Sequence, residues 1–191
     1  INLCLPYLSQ TLTHIINFCI QHSVFPKCWK TAHVIPLAKI KEPLEFKDLR
    51  PISLLPVLSK VLEKAINLQL KKFLDLNNLI LYNQSGFRAG YSCATALLTI
   101  TDDILSAIDK KQAVLMPVLL DYSKAFDTIH RQTLIRILKS RGVSDRAITS
   151  FENFLFDTYQ VVVYDNKKSR CLRSESGVPQ GSILSPTLFS I

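Results

Sequence analysis

The longest uninterrupted apolar run in the chain, residues 113–120, places the strongest constraint on the fold. The run is far too short to cross a bilayer, since a membrane helix needs about 20 apolar residues. Its length instead suits a β-strand that is buried on both faces of a sheet. Pro117 argues against a central position for the first half, because proline cannot donate to a hydrogen-bonded ladder. The run therefore predicts a strand buried within the fold, with its first half away from the centre of a sheet.

Apolar residues at helical spacing predict helices before and after this run. One helix is expected over residues 1–23, ahead of Pro26. A long amphipathic helix is expected over residues 57–74, with apolar residues on one side and lysines on the other faces. Its apolar set is Val57, Leu58, Val61, Leu62, Ala65 and Ile66.

Ser92 is the expected N-cap of a further helix, because a serine side chain can accept a hydrogen bond from a free amide of the first turn. Two more helices are expected to begin near His130 and Asp145. The helix after Ser92 is expected to bury a stripe of apolar residues at three- and four-residue steps: Leu97, Ile100, Ile104 and Ile108.

Short apolar and β-branched segments predict strands in both halves of the chain. One strand is expected over residues 31–37, and a polar loop follows over residues 39–48. A hairpin is expected from residues 159–164 and 171–175, which flank a polar turn. Strands and helices therefore mix along the whole sequence.

The composition fits one, or one and a half, globular domains. Of the 191 residues, 48% are hydrophobic and 20% are charged, so intrinsic disorder is not expected. The 23 basic and 15 acidic residues give a net charge of +8, and residues 1–80 carry +5 of it (10 basic, 5 acidic). This excess favours an anionic partner, nucleic acid first and an acidic membrane surface second. For any one lysine, a solvated helix face remains the plain alternative.

The five cysteines are odd in number, scattered, and without zinc-like spacing. Free thiols in a reducing compartment are the simplest interpretation. No signal peptide or membrane-spanning segment is expected. Because the chain begins at Ile1 and stops within an apolar stretch, we expect it to be a piece of a longer protein.

Asp121 is the first candidate for chemistry, because it follows the apolar run directly. A carboxylate where a buried strand emerges is costly unless it is solvated, paired or bound to a metal. Magnesium prefers hard oxygen ligands, and phosphoryl transfer commonly recruits it through one or two carboxylates. The plain alternative is a strand-ending or helix-capping aspartate. For Asp127 that alternative is stronger, since it can cap the helix expected from His130.

Residues 177–182, Gly-Val-Pro-Gln-Gly-Ser, are the second candidate. Two glycines, a proline and an amide make a stiff turn, and Gly181 permits the close approach of a base or another backbone. Gln180 can donate and accept hydrogen bonds. Ser182 is expected to open a helix, whose N-terminus favours anions. Taken alone, the segment is an ordinary loop-to-helix turn.

Five segments, in this order, resemble the motifs of one enzyme family. Residues 119–127 and 177–186 resemble motifs A and B of reverse transcriptases, and more narrowly those of non-LTR (LINE-type) retrotransposons. Residues 25–39 and 50–64 resemble the first and second fingers motifs of that family. Residues 83–93 resemble its insertion motif between fingers and palm. The resemblance covers most of the chain.

The resemblance implies roles for residues of motifs A and B. Asp121 would be the first catalytic aspartate and would hold two Mg²⁺ ions, with the Tyr122 carbonyl as a further metal contact. Phe126 would be the steric gate, whose ring clashes with a ribonucleotide 2′-OH and so selects deoxynucleotides. Gln180 and Gly181 would lie against the nascent base pair.

In the fingers, the resemblance assigns Arg50 to the triphosphate of the incoming nucleotide, which suits a planar guanidinium. Lys39 is a second candidate for that role. The full enzyme would copy an RNA template from a DNA primer, using deoxynucleoside triphosphates and Mg²⁺. It would be intracellular, in the nucleus or the cytoplasm, without a membrane partner; its oligomeric state stays open.

The sequence departs from the family pattern after motif B. The family places a Tyr/Phe-Ala-Asp-Asp hairpin there, which supplies the other metal carboxylates, and then a thumb; the sequence contains neither. The only adjacent aspartates, Asp102 and Asp103, precede motif A within a helical pattern. One carboxylate makes a poor two-metal site, so this chain alone is not expected to polymerise.

The expected architecture is therefore a right-hand polymerase fold of α/β (α+β) class, with an incomplete palm and no thumb. Residues 1–110 would form a mostly helical, basic fingers region, and residues 111–191 a partial palm. Two alternatives stay open. One is a catalytically inactive remnant that only binds nucleic acid. The other is a relative of group II intron or telomerase enzymes, against which the motifs in residues 25–64 argue.

Overall fold

The computed structural model of the chain describes residues 5–111 and 118–191. The described part contains both helices and strands, which gives a mixed α/β fold. The helices are α1 (Leu5–Gln21), α2 (Val57–Leu76), α3 (Cys93–Asp109), α4 (Arg131–Ser140), α5 (Asp145–Leu155) and α6 (Ser185–Phe189). The strands are β1 (Thr31–Ala38), β2 (Leu49–Leu54), β3 (Thr158–Tyr164), β4 (Lys167–Lys168) and β5 (Leu172–Ser174).

The strands form one sheet that joins the two halves of the sequence. β1 pairs antiparallel with β2, where Val34 lies opposite Ser53. The same residue of β1 lies opposite Val162 of β3, and this pairing is parallel. β3 continues into an antiparallel hairpin with β4 and β5. Asp165 and Asn166 form its turn with φ of 47° and 58°, a conformation that Asp and Asn tolerate.

One apolar core lies among the helices and includes residues from both halves of the sequence. Its fully buried members come from α2, α4, α5 and the segment around α6: Leu62, Leu74, Leu138, Leu155, Leu184 and Leu188. A helix packs in this way when its apolar residues recur along one face. Helix α2 is thereby packed into the same core as the segment around α6.

Most predicted elements are confirmed. The strand predicted over residues 31–37 is β1, and the predicted hairpin is β3 to β5. The helix predicted over residues 57–74 is α2. Ser92 caps α3, because its hydroxyl accepts a hydrogen bond from the amide of Thr95. Helices α4 and α5 begin within one residue of the predicted positions.

The buried strand predicted over residues 113–120 is not confirmed. Residues 113–117, Pro117 included, lie outside the described part. The prediction is wrong for Val118, Leu119 and Leu120, which belong to no strand and are 69%, 89% and 80% exposed. An apolar run predicts burial, but it does not name the surface that covers it.

The predicted burial of two helices also needs correction. On α2, Leu62 is buried as expected, but Val57 and Val61 are exposed. The buried face runs instead through polar residues as well, at Ser59, Glu63 and Asn67. On α3, the predicted apolar stripe is mostly exposed, and Ala107 is the buried residue among the described side chains of that helix.

Within the described residues, no helix combines the length and the apolarity that a membrane span requires. The four described cysteines are free thiols. Cys19 is buried in the core, and this burial raises the pKa of its thiol. Cys28, Cys93 and Cys171 are exposed. The free thiols expected from the sequence are thus found at these four positions.

Candidate functional site

The Gly-Val-Pro-Gln-Gly segment, residues 177–181, lies directly against the backbone of residues 126–129. The Gly177 amide donates to the Ile129 carbonyl, and the Val178 amide donates to the Phe126 carbonyl at 2.8 Å. A Cβ at Gly177 would stand 2.6 Å from the Asp127 carbonyl oxygen, and φ there is +72°. Only glycine fits a position that combines this φ with such a close approach. Motifs A and B are thereby joined through their backbones.

The other end of the segment rests on strand β2. The Ser53 amide donates to the Gln180 carbonyl at 2.7 Å. A Cβ at Gly181, where φ is +122°, would stand 2.5 Å from the Ser53 carbonyl oxygen. The close approach predicted for Gly181 is therefore real, and its partner is the backbone of β2.

Asp127 is held by this loop and does not cap a helix. The Gln180 Nε2 donates to the Asp127 carboxylate, at 3.3 Å from Oδ1. The N-cap of α4 is His130, whose Nδ1 accepts from the Thr133 amide. The capping role predicted for Asp127 is therefore wrong, because His130 lies nearer to the first turn. The sequence did predict that Gln180 would act as a hydrogen-bonding group.

The ring of Phe126 is half-buried at the edge of the site. It stacks on Phe189 of α6, with ring centroids 5.0 Å apart and planes 28° apart. On another side it meets Phe87 edge-on, at 6.1 Å. Aromatic pairs of these geometries are attractive beyond the area that they bury. The ring is thus fixed by two neighbours and packs against the core.

A cavity of about 500 Å³ lies between the sheet and the Gly-Val-Pro-Gln-Gly loop. This volume is in the range of ligand-binding clefts. Its wall combines apolar side chains of the strands with polar groups of the loop. The lining includes Val34, Ser53, Asp127, Val162 and Gln180.

Asp121 and Tyr122 lie in irregular backbone and are exposed. Among the described residues, no group of three or more His, Cys, Asp or Glu side chains stands close enough to hold a metal ion. The described part therefore offers a partial donor set for a metal: an accessible Asp121 carboxylate without two further ligands. The chemistry of that group, a hard oxygen donor, still suits a divalent ion.

Arg50 and Lys39 lie on the hairpin of β1 and β2. Arg50 is exposed on β2, opposite Leu37 of β1. Because side chains alternate along a strand, Arg50 points to the opposite face from Ser53. The Lys39 Nζ donates to the Lys47 carbonyl at 2.7 Å, which ties it to the loop between the strands. The structure thus brings Phe126, Gln180 and Gly181 together, while Arg50 and Lys39 lie on the neighbouring hairpin.

Two buried charged residues at the site were missed by the sequence reasoning. Arg131, 5% exposed, donates to the carbonyls of Ser174, Ser176 and Gly177 and to the Ser174 hydroxyl. Burial lowers the pKa of this guanidinium, and nearby Arg173 adds to the effect.

Glu63, fully buried on α2, accepts hydrogen bonds beyond the other end of the loop. Its Oε2 accepts from the Ser182 hydroxyl and from the amides of Ile183 and Leu184. The only sequence signal was an acidic residue beside the apolar residues of an amphipathic helix. The helix that was predicted to begin at Ser182 begins three residues later, because α6 starts at Ser185.

Comparison with known proteins agrees with this geometry. Residues 39–191 match the family described as reverse transcriptase (RNA-dependent DNA polymerase). The chain is 33% identical over 183 residues to the RNA-directed DNA polymerase from mobile element jockey of Drosophila melanogaster, covering 95% of this chain and 20% of that relative. It is 29% identical over 193 residues to the probable RNA-directed DNA polymerase from transposon X-element of the same organism, covering 94% and 20%.

A more distant similarity is to the putative COX1/OXI3 intron 2 protein of Saccharomyces cerevisiae, with 28% identity over 156 residues, covering 82% of this chain and 17% of that relative. The chain thus spans about a fifth of the length of the curated relatives that it matches. The family match covers motifs A and B together with the second fingers motif. The chain belongs to the reverse transcriptase family, as a LINE-type reverse transcriptase domain of non-LTR mobile elements.

Proposed function

We propose that this chain is the part of an RNA-directed DNA polymerase that binds the template–primer duplex and the incoming deoxynucleoside triphosphate. The observation that carries the proposal is the contact between the Gln180–Gly181 peptide and Ser53, because it places motif B against β2, the strand of the second fingers motif. A cavity of ligand size opens beside that contact. Phe126 stands at the other side of the same loop.

Each candidate site residue has a distinct part in this proposal. Arg50, and Lys39 secondarily, neutralise the triphosphate from the fingers hairpin. Gln180 and Gly181 support the nascent base pair through their backbone, and Phe126 excludes the ribose 2′-OH. Residues 1–110 form the fingers and residues 111–191 part of the palm.

A divalent metal, with Mg²⁺ as our specific proposal, would stabilise the attacking and leaving oxygens when bound. Asp121 would supply one carboxylate to it and the Tyr122 carbonyl a further oxygen. The described residues alone do not complete such a site. The protein would act inside the cell, in a reducing compartment of the nucleus or cytoplasm, where exposed Cys28, Cys93 and Cys171 stay reduced.

A second candidate function is nucleic-acid binding without catalysis. The partial metal donor set around Asp121 favours it for this chain taken alone. The two candidates share the binding surface and differ in chemistry. They are separated by templated synthesis in a longer form of the protein, because a binding remnant would give no product there.

Binding to an RNA–DNA duplex is expected to weaken steeply with salt. Lysine and arginine contacts to phosphates release condensed counterions, and the net charge of +8 supplies such contacts. About four phosphate contacts would lower the affinity roughly a hundredfold between about 50 and 200 mM salt. Fluorescence anisotropy of a labelled duplex across a salt series measures this slope.

In the absence of a nucleotide, the exposed Arg50 side chain is available to contact a phosphate of the duplex. Arg50→Ala is therefore expected to lower the steepness of the salt dependence of duplex binding by about one in the log–log slope. Lys139→Ala is the matched control, because Lys139 on α4 already forms an ion pair with Glu152 of α5, at 4.0 Å. The control is expected to leave the slope unchanged. Affinity that is independent of salt, or absent at low salt, would rule the proposal out.

A further inference from the structure

The segment that carries Gln180 and Gly181 is anchored at both ends by buried groups of opposite charge. Arg131, from α4, donates hydrogen bonds to the carbonyl oxygens of Ser174, Ser176 and Gly177 at 2.7 to 3.0 Å. Glu63, from α2, receives the hydroxyl of Ser182 and the amides of Ile183 and Leu184. Carbonyl acceptors thus surround the Arg131 guanidinium, and hydroxyl and amide donors surround the Glu63 carboxylate.

The geometry explains why charged groups stand at these buried positions. A buried carboxylate is strongly unfavourable unless its oxygens are hydrogen-bonded, and both Glu63 oxygens are. The second oxygen, Oε1, accepts from the Ser59 hydroxyl of the preceding turn at 2.9 Å. An apolar side chain at either position would leave buried peptide groups of the loop without partners.

The two anchors also tie the loop to the elements that surround it. Only two residues separate the end of β2 from the start of α2, so Glu63 and Ser53 belong to one continuous piece of fingers structure. Helix α4 follows the Phe126 segment, against which Gly177 packs. The loop between the two anchors is therefore held in position relative to both motif A and the fingers.

We propose that Glu63 and Arg131 are positioning residues that hold residues 177–184 from both ends and so fix the Gln180–Gly181 peptide against Ser53. For catalysis, this positioning would place the support for the nascent base pair correctly, and that consequence rests on the proposed function. The geometric part of the proposal does not depend on it. Neither residue touches the nucleotide in this proposal.

Hydrogen exchange of the 191-residue chain tests the geometric part. Glu63→Leu is expected to speed exchange of the Ser53 amide about tenfold or more, because the acceptor of this amide, the Gln180 carbonyl, is released. No hydrogen bond joins Ser53 to Glu63 directly. The amides of Phe151 and Leu155 in α5 are expected to keep their protection. Arg131→Lys is expected to release the Val178 amide in the same way, to a smaller extent.

Two matched variants separate positioning from packing. Glu63→Gln keeps an oxygen for the loop amides and offers its NH₂ to the Ser59 hydroxyl, so it is expected to restore Ser53 protection. Ser59→Ala removes the Oε1 partner only and is expected to leave the loop amides unchanged. If Glu63→Leu fails to fold, Ser182→Ala removes one donor to the same oxygen and is expected to raise Ser53 exchange about threefold or more.

Kinetics of a polymerising form of the protein test the consequence. Glu63→Leu is expected to raise the KM for the nucleotide about tenfold or more, a larger factor than any loss of primer–template affinity. Glu63→Gln is expected to rescue that KM. A parent protein that neither polymerises nor binds nucleotide would refute the proposed function, yet the exchange result would still stand.

The proposal is overturned if none of Glu63→Leu, Ser182→Ala and Arg131→Lys changes exchange at Ser53 or Val178. It is equally overturned if the loop and α5 lose protection together and by the same factor, since both residues would then only stabilise the fold.

Discussion

Replacing Asp121 with asparagine is expected to abolish templated DNA synthesis in a form of the protein that carries the remaining metal carboxylates. The substitution removes one metal-binding charge and nearly no volume. Metal stabilisation of the transition state is worth several kcal/mol, and each 1.4 kcal/mol is tenfold, so a loss of about a thousandfold or more is expected. Primer extension on an RNA template with Mg²⁺ measures it.

Asp127→Asn is the matched control, because it makes the same chemical change six residues later in the same motif. An asparagine oxygen can still accept from the Gln180 amide, so the loop contact survives. We expect a loss of less than about tenfold. Equal losses for the two variants would remove the special role of Asp121.

The 191-residue chain alone is expected to give no product in the same assay, because its described residues contain no cluster of three metal-binding side chains. Robust templated synthesis by this chain would show that its metal site is complete without further carboxylates.

Phe126→Val is expected to admit ribonucleotides while reducing the use of deoxynucleotides only modestly. Discrimination would arise from a clash between the ring and the 2′-OH, which a smaller side chain relieves. The ring also packs on Phe189 and Phe87, so the same change is expected to cost about 1–2 kcal/mol of stability. The ratio of ribonucleotide to deoxynucleotide incorporation and the melting temperature are measured together.

Phe189→Val separates the gate from the packing. It removes the stacked partner at 5.0 Å and leaves the Phe126 ring in place. We expect a similar loss of stability with an unaltered sugar preference. An unaltered incorporation ratio in folded Phe126→Val would eliminate the gate assignment and leave Phe126 as a packing residue.

The local elements followed from the sequence because their signals are local. The apolar and β-branched segment of β1, the Asp165-Asn166 turn and the Ser92 cap each depend on residues a few positions apart. The candidate loop was also identified, since two glycines around Pro179 and Gln180 have few ordinary structural uses. Most features that depend on one segment were therefore predictable, and the exception is the cap of α4, which was expected at Asp127 and is formed by His130.

Pairings between distant segments were not predictable in the same way. The parallel pairing of β1 with β3 and the hydrogen bonds from Ser182 to Glu63 depend on residues more than a hundred positions apart. Leu119 shows the same limit, because its apolar neighbours predict burial without naming a partner. The apolar stripe of α3, exposed in the described part of the chain, is a further case.

We propose that the loop of residues 177–184 and strand β2 together receive the template–primer duplex. Hydrogen exchange of the chain, with and without an RNA–DNA primer–template at low salt, tests this binding surface. We expect protection to rise in residues 177–184 and in β2, to disappear at high salt, and to be absent from α5, whose Ile148, Phe151 and Leu155 are buried in the core. A duplex that binds but leaves both segments unprotected, or that protects α5 instead, would show that the duplex does not bind at residues 177–184 and β2.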